Sequence, residues 1–305
     1  MNSTSFTALV WHRFRRHRLA VAGALLIGAL LVLTSCAELF EMVLGVHSTT
    51  IDLNATLLPP LSGPHFLGTD ELGRDVLMRL LHGGRVSLAV GVISALAAAA
   101  LGTSLGMLAG YYGGLTDLIL MRIADAMLSI PVLPLLIVLS AVDLGKLVGA
   151  PDSTLLRGAF GSVAQLMFLI VLFGWMTVAR LARAATLQLR NVEYVLAARA
   201  LGASHFRILR MHILPGALPS TIVAATLEVG GNILYEASLS FLGLGVKPPV
   251  PSWGNMLTNA QDHMYRAPLL AFWPGLLILL TVTAFNFLGD GLRDALDPKQ
   301  LMKKP

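Results

Sequence analysis

Cysteine and charge are both scarce in this chain of 305 residues. Cys36 is the only cysteine, which excludes an internal disulfide framework and a metal site built from several thiolates. Charged residues make up 13% of the sequence, whereas an ordinary soluble domain has about 25%. Hydrophobic residues reach 55%, and the mean hydropathy is +0.74. This composition predicts a protein that crosses a membrane several times.

Nucleotide-binding and catalytic motifs are also missing. None of the five lysines precedes serine or threonine, so the lysine of a phosphate-binding loop is absent. The histidines show no HExxH pattern. One Gly-x-Ser-x-Gly motif, GTSLG at residues 102–106, lies in an apolar segment instead of the strand–turn–helix of a nucleophile elbow. We interpret it as a helix-packing motif. We expect no enzymatic activity, no metal site and no cofactor in this chain.

Uncharged windows mark the membrane spans, because a helix of about twenty apolar residues crosses roughly 30 Å of hydrocarbon. Five windows carry no charge, and a sixth is apolar apart from Glu228 and Glu236. The sequence therefore predicts an all-α polytopic membrane protein with six transmembrane helices. The predicted spans are residues 19–37, 86–110, 126–142, 158–179, 217–239 and 268–289.

Arginine and lysine cluster before the first span, between the fourth and fifth spans, and after the sixth. Such residues gather in cytoplasmic loops, so both termini are predicted inside and residues 38–85 outside. The same placement accounts for the net charge of +5 without nucleic-acid binding. LTSC at residues 33–36 is similar to a lipoprotein cleavage box, but Thr34 and Ser35 are larger than the usual residues there. A retained membrane anchor is therefore favoured.

The basic segment at residues 190–216 has the pattern of two short helices at a glycine corner. Asn191 can cap the first helix, which has Glu193 in its first turn. Gly202 can end that helix in a left-handed conformation, Ser204 can cap the second, and Pro215 can limit it. The segment could serve only to fix orientation. Its two capped helices stand directly before a span, however. This placement favours a segment that transmits a displacement to that span.

This segment is similar to the coupling loop of the permease subunits of bacterial type-1 ABC importers, in the dipeptide, oligopeptide and nickel branch. That loop starts Glu-Ala-Ala, has a glycine four residues later and ends in Leu-Pro; Leu196 stands here in place of the acid. Residues 65–88, 109–131, 237–257 and 285–298 resemble further blocks of the branch. The resemblance implies a type-1 permease fold and an ATPase-coupling loop that contains Ala197, Ala198, Arg199, Gly202, Ala203, Ser204, Leu214 and Pro215.

The same resemblance implies the partners, the membrane and the substrate class. We expect a second, homologous permease subunit, two ABC ATPases that carry ATP and Mg, an external substrate-binding protein, and lipid of the bacterial inner membrane. The expected substrates are dipeptides or oligopeptides, with nickel, glutathione or opine-like compounds as alternatives. From the residues alone, an ion-driven secondary transporter is a second alternative.

The resemblance and the spans together give the expected domain layout. Residues 1–18 form a cytoplasmic segment, and residues 19–85 form the first span and an external loop. Residues 86–290 form the transmembrane type-1 domain with five helices, and residues 291–305 form a cytoplasmic tail.

Two charged pairs are predicted from helical spacing. Asp75 and Arg79 are four apart in a short external helix that Thr69 or Asp70 can cap, and we expect an exposed pair there, with external contact to a binding protein as the alternative. Arg122 and Asp125 are three apart at the start of the third span, where mutual neutralisation would lower the cost of burying them.

The fifth span carries a polar residue at every fourth position. Each step of four turns about 400°, so the four residues form one slowly winding stripe. Carboxylates are costly against lipid, and the stripe should face the helix bundle or a water-filled path. Interhelical hydrogen bonding and a border of the translocation path both fit it. The stripe consists of Glu228, Asn232, Glu236 and Ser240.

Overall fold

The computed structural model describes residues 6–142 and 159–296. These ranges contain helices and no β-strand, which confirms the all-α prediction. The α-helices are α1 (Phe6–Arg16), α2 (Arg18–Ser35), α3 (Ala37–Leu44), α4 (Val76–Tyr112), α5 (Gly114–Leu128), α6 (Val132–Ser140), α7 (Ala159–Leu189), α8 (Glu193–Ala200), α9 (His205–Ile208), α10 (Leu214–Phe241), α11 (Trp253–Ala260) and α12 (Leu269–Leu296).

Five helices of the described part are long and apolar enough to cross a membrane. Helices α5 and α6 are long and apolar enough only when taken together, and the angle between them is 85°. If this pair is one bent span, the number of spans is six. The predicted third span, residues 126–142, is therefore broken near its start. Pro131 explains the break, because proline lacks a backbone N–H and disfavours a helical conformation of the residue before it.

The helices extend beyond the predicted spans. Helix α4 begins at Val76, where Asp75 caps it by accepting a 2.8 Å hydrogen bond from the backbone N–H of Met78. Helix α7 continues to Leu189, past the predicted end at residue 179. The added turns contain arginines, such as Arg79 and Arg183. Hydropathy locates the hydrocarbon core and not the ends of the helices.

Helix α4 lies along α7, and glycines allow their close approach. A Cβ atom on Gly102 would lie 2.4 Å from the carbonyl oxygen of Trp175, and one on Gly106 would lie 2.2 Å from that of Ala179. Gly110 continues the same face, with Arg183 and Thr186 opposite. The GTSLG motif is thus part of a helix–helix contact, which confirms its interpretation as a packing motif.

Helix α10 occupies the middle of the fold and packs against α4, α7 and α12. On one side it contributes to a core that also contains residues of α2, α11 and α12. Trp253 of α11 is completely buried in this core and donates a 3.0 Å hydrogen bond to the carbonyl oxygen of Leu80. The other side of α10 faces a large cavity. Buried members of the core include Leu30, Leu88, Ile233, Trp253 and Phe285.

Candidate coupling segment and translocation cavity

The basic segment folds as two helices at a glycine corner. Gly202 has φ of +80°, in the left-handed region that favours glycine. Ser204 caps α9 by accepting a 3.4 Å hydrogen bond from the backbone N–H of Arg207. The predicted cap of the first helix is wrong, because Val192 is the N-cap of α8 and makes no side-chain hydrogen bond there. Asn191 lies one residue too early to cap Glu193–Ala200.

Pro215 does not end the second helix, which corrects the prediction from sequence. Helix α9 continues through a π-helical turn (Leu209–Ile213) into α10, so that His205–Phe241 forms one helix of 37 residues. Proline in a helix clashes with the carbonyl group four residues earlier. That residue is Met211, which lies in the π turn, where the helix is wider. The coupling segment is therefore continuous with the fifth span.

Tyr111, at the end of α4, ties the coupling segment to the rest of the bundle. Its hydroxyl lies 2.8 Å from Nδ1 of His205, and the guanidinium of Arg199 lies 5.5 Å from the centre of its ring. Arg190 donates a 2.8 Å hydrogen bond to the carbonyl oxygen of Gly110. Tyr111 was missed from the sequence, although it belongs to an aromatic pair at the end of the second span. Tyr111 belongs to a buried cluster with Val195, Ile208, Leu209 and Ile213.

The predicted coupling residues lie together on the outer surface of this segment. Ala197, Arg199, Gly202, Ser204 and Pro215 are exposed, and Ala198, Ala203 and Leu214 are half-buried. Two large apolar side chains stand among them, with Leu201 88% exposed and Phe206 71% exposed. We call this group, with Leu201 and Phe206, the coupling surface. Large apolar side chains exposed among arginines are typical of a protein-binding site.

A cavity of about 1140 Å³ lies between α6, α7, α10 and the end of α12. Along α10 its lining runs from Gly216 to Tyr235, or roughly 28 Å at the rise of an α-helix. Arg293 and Asp294 of α12 belong to the lining as well. Most of the surface is apolar, and its uncharged polar residues include Thr177, Gln188, Ser220, Asn232 and Tyr235.

The predicted polar stripe divides into two parts. Glu228 and Asn232 line the cavity. Glu236 is completely buried and accepts 2.8 Å hydrogen bonds from the hydroxyls of Ser87 and Ser240. The slow winding explains the division, because two steps of four residues rotate a side chain by about 80°. Asn232 lies between the two parts, because it lines the cavity and also donates a 3.4 Å hydrogen bond to the carbonyl oxygen of Gly91 in α4.

Comparison with known proteins identifies the family. Residues 102–301 match the family described as the binding-protein-dependent transport system inner membrane component. The chain belongs to this family of permeases. Residues 5–60 match a second family, the N-terminal TM domain of oligopeptide transport permease C. The resemblance to importer permeases is thus confirmed, and the permease is a transport subunit of the inner membrane and not an enzyme.

Relatives of this permease span nearly its whole length. The glutathione transport system permease protein GsiD of Pectobacterium atrosepticum is 41% identical over 290 residues, which cover 95% of this chain and 90% of that protein. The oligopeptide transport system permease protein OppC of Bacillus subtilis is 40% identical over 287 residues, covering 94% and 88%. Inward-facing structures of the MetNI methionine ABC transporter share the fold, with a TM-score of 0.54, 22% identity, and coverage of 72% of this chain and 96% of that chain.

The external pair Asp75–Arg79 of the permease is not formed as predicted. Nε of Arg79 lies 3.3 Å from Oδ2 of Asp70, and Oδ2 of Asp75 lies 2.9 Å from Nδ1 of His65. Both side chains are buried, at 2% exposed for Asp75 and 7% for Arg79. Asp70 closes a turn by accepting from the backbone N–H groups of Leu72 and Arg74, so neither it nor Thr69 caps a helix.

The pair Arg122–Asp125 is also replaced by contacts between helices. Asp125 is ion-paired with Arg180 of α7. Asp117, eight residues before Asp125 on α5, accepts a 2.6 Å hydrogen bond from Arg183 of α7. These two pairs connect α5 to α7. Charges on α5 are thus neutralised across a helix interface and not along one helix.

On the other side of the permease, Arg85 of α4 connects α2 to α3. It donates hydrogen bonds of 2.7 Å to the carbonyl oxygen of Ser35 and 2.8 Å to Oε2 of Glu38. The hydrogen bonds from Arg85 lower the pKa of the Glu38 carboxyl to about 2. Glu38 therefore stays charged at neutral pH, and the pair fixes the connection between α2 and the loop that follows it.

Proposed function

We propose that this chain is one of two homologous permease subunits of an ATP-driven importer of dipeptides or oligopeptides. An external binding protein delivers the solute, and two ABC ATPases that carry ATP and Mg drive its passage. Support comes from the glutathione and oligopeptide permeases that cover nearly the whole chain. Family membership removes the ion-driven secondary transporter as an alternative. Nickel, glutathione and opine-like solutes are the alternative cargo.

The observation that carries this proposal is the continuity of the helix His205–Phe241. One end of this helix begins beside Gly202 and Ser204 at the coupling surface, and its middle lines the cavity with Glu228 and Asn232. A displacement of the coupling surface by an ATPase would reach the cavity without crossing a loop. The arginines before the first span and around the coupling surface support a cytoplasmic location for this surface and for both termini.

The cavity is, on this proposal, part of the translocation path. Glu228 and Asn232 border the path, because they belong to the cavity lining. Glu236 and Ser240 have a different part in it. The buried hydrogen bond from Ser87 to Glu236 joins α4 to α10, and the one from Ser240 to Glu236 lies within α10, so that together they fix the helix that carries the two path residues.

Gly202→Trp tests the coupling surface. The substitution puts a large side chain on the surface and makes a residue other than glycine adopt positive φ, at a cost of about 1–2 kcal/mol. We expect the ATPase subunits to be lost when the complex is purified through the permease, and ATP-driven peptide uptake to be lost with them. The second permease subunit should still copurify.

Gly45→Trp is the matched control. Gly45 also has positive φ, at +68°, and also has open space around it, but it ends α3 in the segment predicted outside. The Gly45→Trp substitution imposes the same kind of backbone strain without touching the coupling surface. If Gly202→Trp retained its ATPases and its uptake, or if both variants lost them equally, the assignment of the coupling surface would be wrong.

A further inference from the structure

Glu228 differs from every other charged residue of the cavity lining in its position. The other two, Arg293 and Asp294, lie on the last turns of α12. Glu228 is twelve residues along α10 from Gly216, or roughly 18 Å into the cavity from that end of the lining. It is therefore the one carboxylate that the described lining offers deep inside the bundle.

The carboxylate of Glu228 has no partner within the described residues. Oε2 is buried, and no side chain or backbone group of the described ranges donates a hydrogen bond to it. It lies near Gly174 of α7, where an added Cβ atom would be 3.8 Å away. Glu228 as a whole is half-buried, but a carboxylate oxygen buried without a hydrogen bond is costly in an apolar environment. A cavity that contains such a group points to a partner that binds there only transiently.

Glu236, on the same helix, is a carboxylate with a structural role. It is completely buried, and each of its two oxygens accepts a hydrogen bond from a serine. Its hydrogen bonds, one from α4 and one within α10, therefore explain Glu236 fully, whereas no such bond explains Oε2 of Glu228. The two glutamates are eight residues apart and form a matched pair, with one in the packing and one in the cavity.

The cavity does not have the chemistry of a metal site. Among the residues that the structure describes, no group of three or more histidine, cysteine, aspartate or glutamate side chains could hold a metal ion. The polar residues nearest to Glu228 in sequence on the same lining, Asn232 and Tyr235, are uncharged hydrogen-bonding groups. One carboxylate with neutral polar neighbours and apolar walls suits an organic cation that keeps part of its surface apolar.

We propose that Glu228 binds the ammonium group of the transported solute as it passes through the cavity. This inference rests on the proposed function, because it takes the cavity as part of the path. The ammonium would donate to the free carboxylate oxygen, and the apolar walls would accept the remainder of a peptide-sized molecule. The contact would be transient. It would favour solutes with a free amino group over the same solutes with a blocked amino group.

Carbodiimide labelling tests the binding site directly. Dicyclohexylcarbodiimide reacts with carboxyl groups in apolar surroundings, and mass spectrometry of the purified complex identifies the modified residue. We expect modification of Glu228 that is slowed by millimolar trialanine and not by N-acetyl-trialanine. Glu236 is the internal control, because burial and two hydrogen bonds should protect it with or without peptide. Equal protection by both peptides, no protection, or no modification of Glu228 would overturn the proposal.

Uptake by proteoliposomes that contain the complete importer provides a second measurement. In Glu228→Gln we expect the ratio of trialanine uptake to N-acetyl-trialanine uptake to fall about tenfold, or about 1.4 kcal/mol, since the hydrogen bond from the ammonium to a charged group is lost. In Glu236→Gln both uptakes should change by the same factor. An unchanged ratio in Glu228→Gln would overturn the ammonium site. Absence of ATP-driven uptake in the wild-type importer would overturn the proposed function instead, and the labelling result would still decide the site.

Discussion

At the scale of single residues, the hydroxyl of Tyr111 is one of the polar contacts between the end of α4 and the coupling segment. It lies 2.8 Å from Nδ1 of His205. We expect Tyr111→Phe to lower the amount of peptide moved per ATP hydrolysed several-fold. A neutral hydrogen bond contributes about 1 kcal/mol, which corresponds to roughly a fivefold change in an equilibrium constant. Uptake and phosphate release measured on the same proteoliposomes give this ratio.

Tyr112→Phe is the control for this prediction. The ring of Tyr112 also lies against Tyr111 and His205, but its hydroxyl has no hydrogen bond in the described part of the chain, and the side chain is 54% exposed. It should retain the wild-type ratio of uptake to hydrolysis. A purely structural role for Tyr111 would lower the yield of assembled complex and leave the ratio in the assembled fraction unchanged.

Several single-residue predictions from spacing failed for a common reason. The rule that pairs residues three or four apart considers one helix, whereas Asp75 binds His65 and Asp125 binds Arg180 through tertiary contacts. Spacing cannot indicate that a distant segment brings a better partner. The left-handed Gly202 and the Ser204 cap were predictable, because each depends on the local chain alone.

At the scale of elements, the contact of α4 with α7 depends on glycines without space for a side chain. We expect Gly106→Leu to lower the melting temperature of the detergent-solubilised complex, since an added side chain would meet the backbone of Ala179. Overpacking of this kind typically costs about 1–3 kcal/mol. Gly28→Leu in α2 is the control, because nothing lies within 4 Å of a Cβ atom at that position. Equal melting temperatures for the two variants would contradict the packing role.

The elements themselves were largely predictable, and their ends were not. Hydropathy located the apolar centre of each span, but Arg79 and Arg183 lie on helical turns that continue beyond the hydrocarbon. Pro131 marks a real break in a helix, because it stands directly before the first residue of α6. Pro215 was misinterpreted because a π turn before it removes the clash that usually ends a helix.

At the scale of the whole molecule, we expect a topology with both termini in the cytoplasm. Cysteine substitutions on a Cys36→Ser background test it with a membrane-impermeant thiol reagent. Thr50→Cys should be labelled in intact spheroplasts, and Leu201→Cys only after permeabilisation. Both positions are exposed in the structure, so access differs by side of the membrane and not by burial. Labelling of Leu201→Cys in intact spheroplasts would overturn the topology.

The candidate site was predictable in its chemistry and less so in its geometry. Periodicity placed Glu228 and Glu236 on one winding stripe, but it could not show where the stripe passes from the cavity into the packing against Ser87. That boundary depends on how closely α4 approaches α10. The cavity wall formed by Thr177 and Gln188 of α7 was missed, since isolated polar residues in an apolar helix give no pattern.

The length of the helix His205–Phe241 has a mechanical consequence. From His205 to Glu228 it measures roughly 35 Å at 1.5 Å per residue. If this stretch moves as a rigid rod that pivots near Glu228, a tilt of about 5° moves its His205 end by about 3 Å. A displacement of a few ångströms at that end thus becomes a rotation of a few degrees at the cavity wall. The rod is a lever whose long arm runs from Glu228 to His205, and flexing at Pro219, which lies inside it, would absorb the displacement before it reached the cavity.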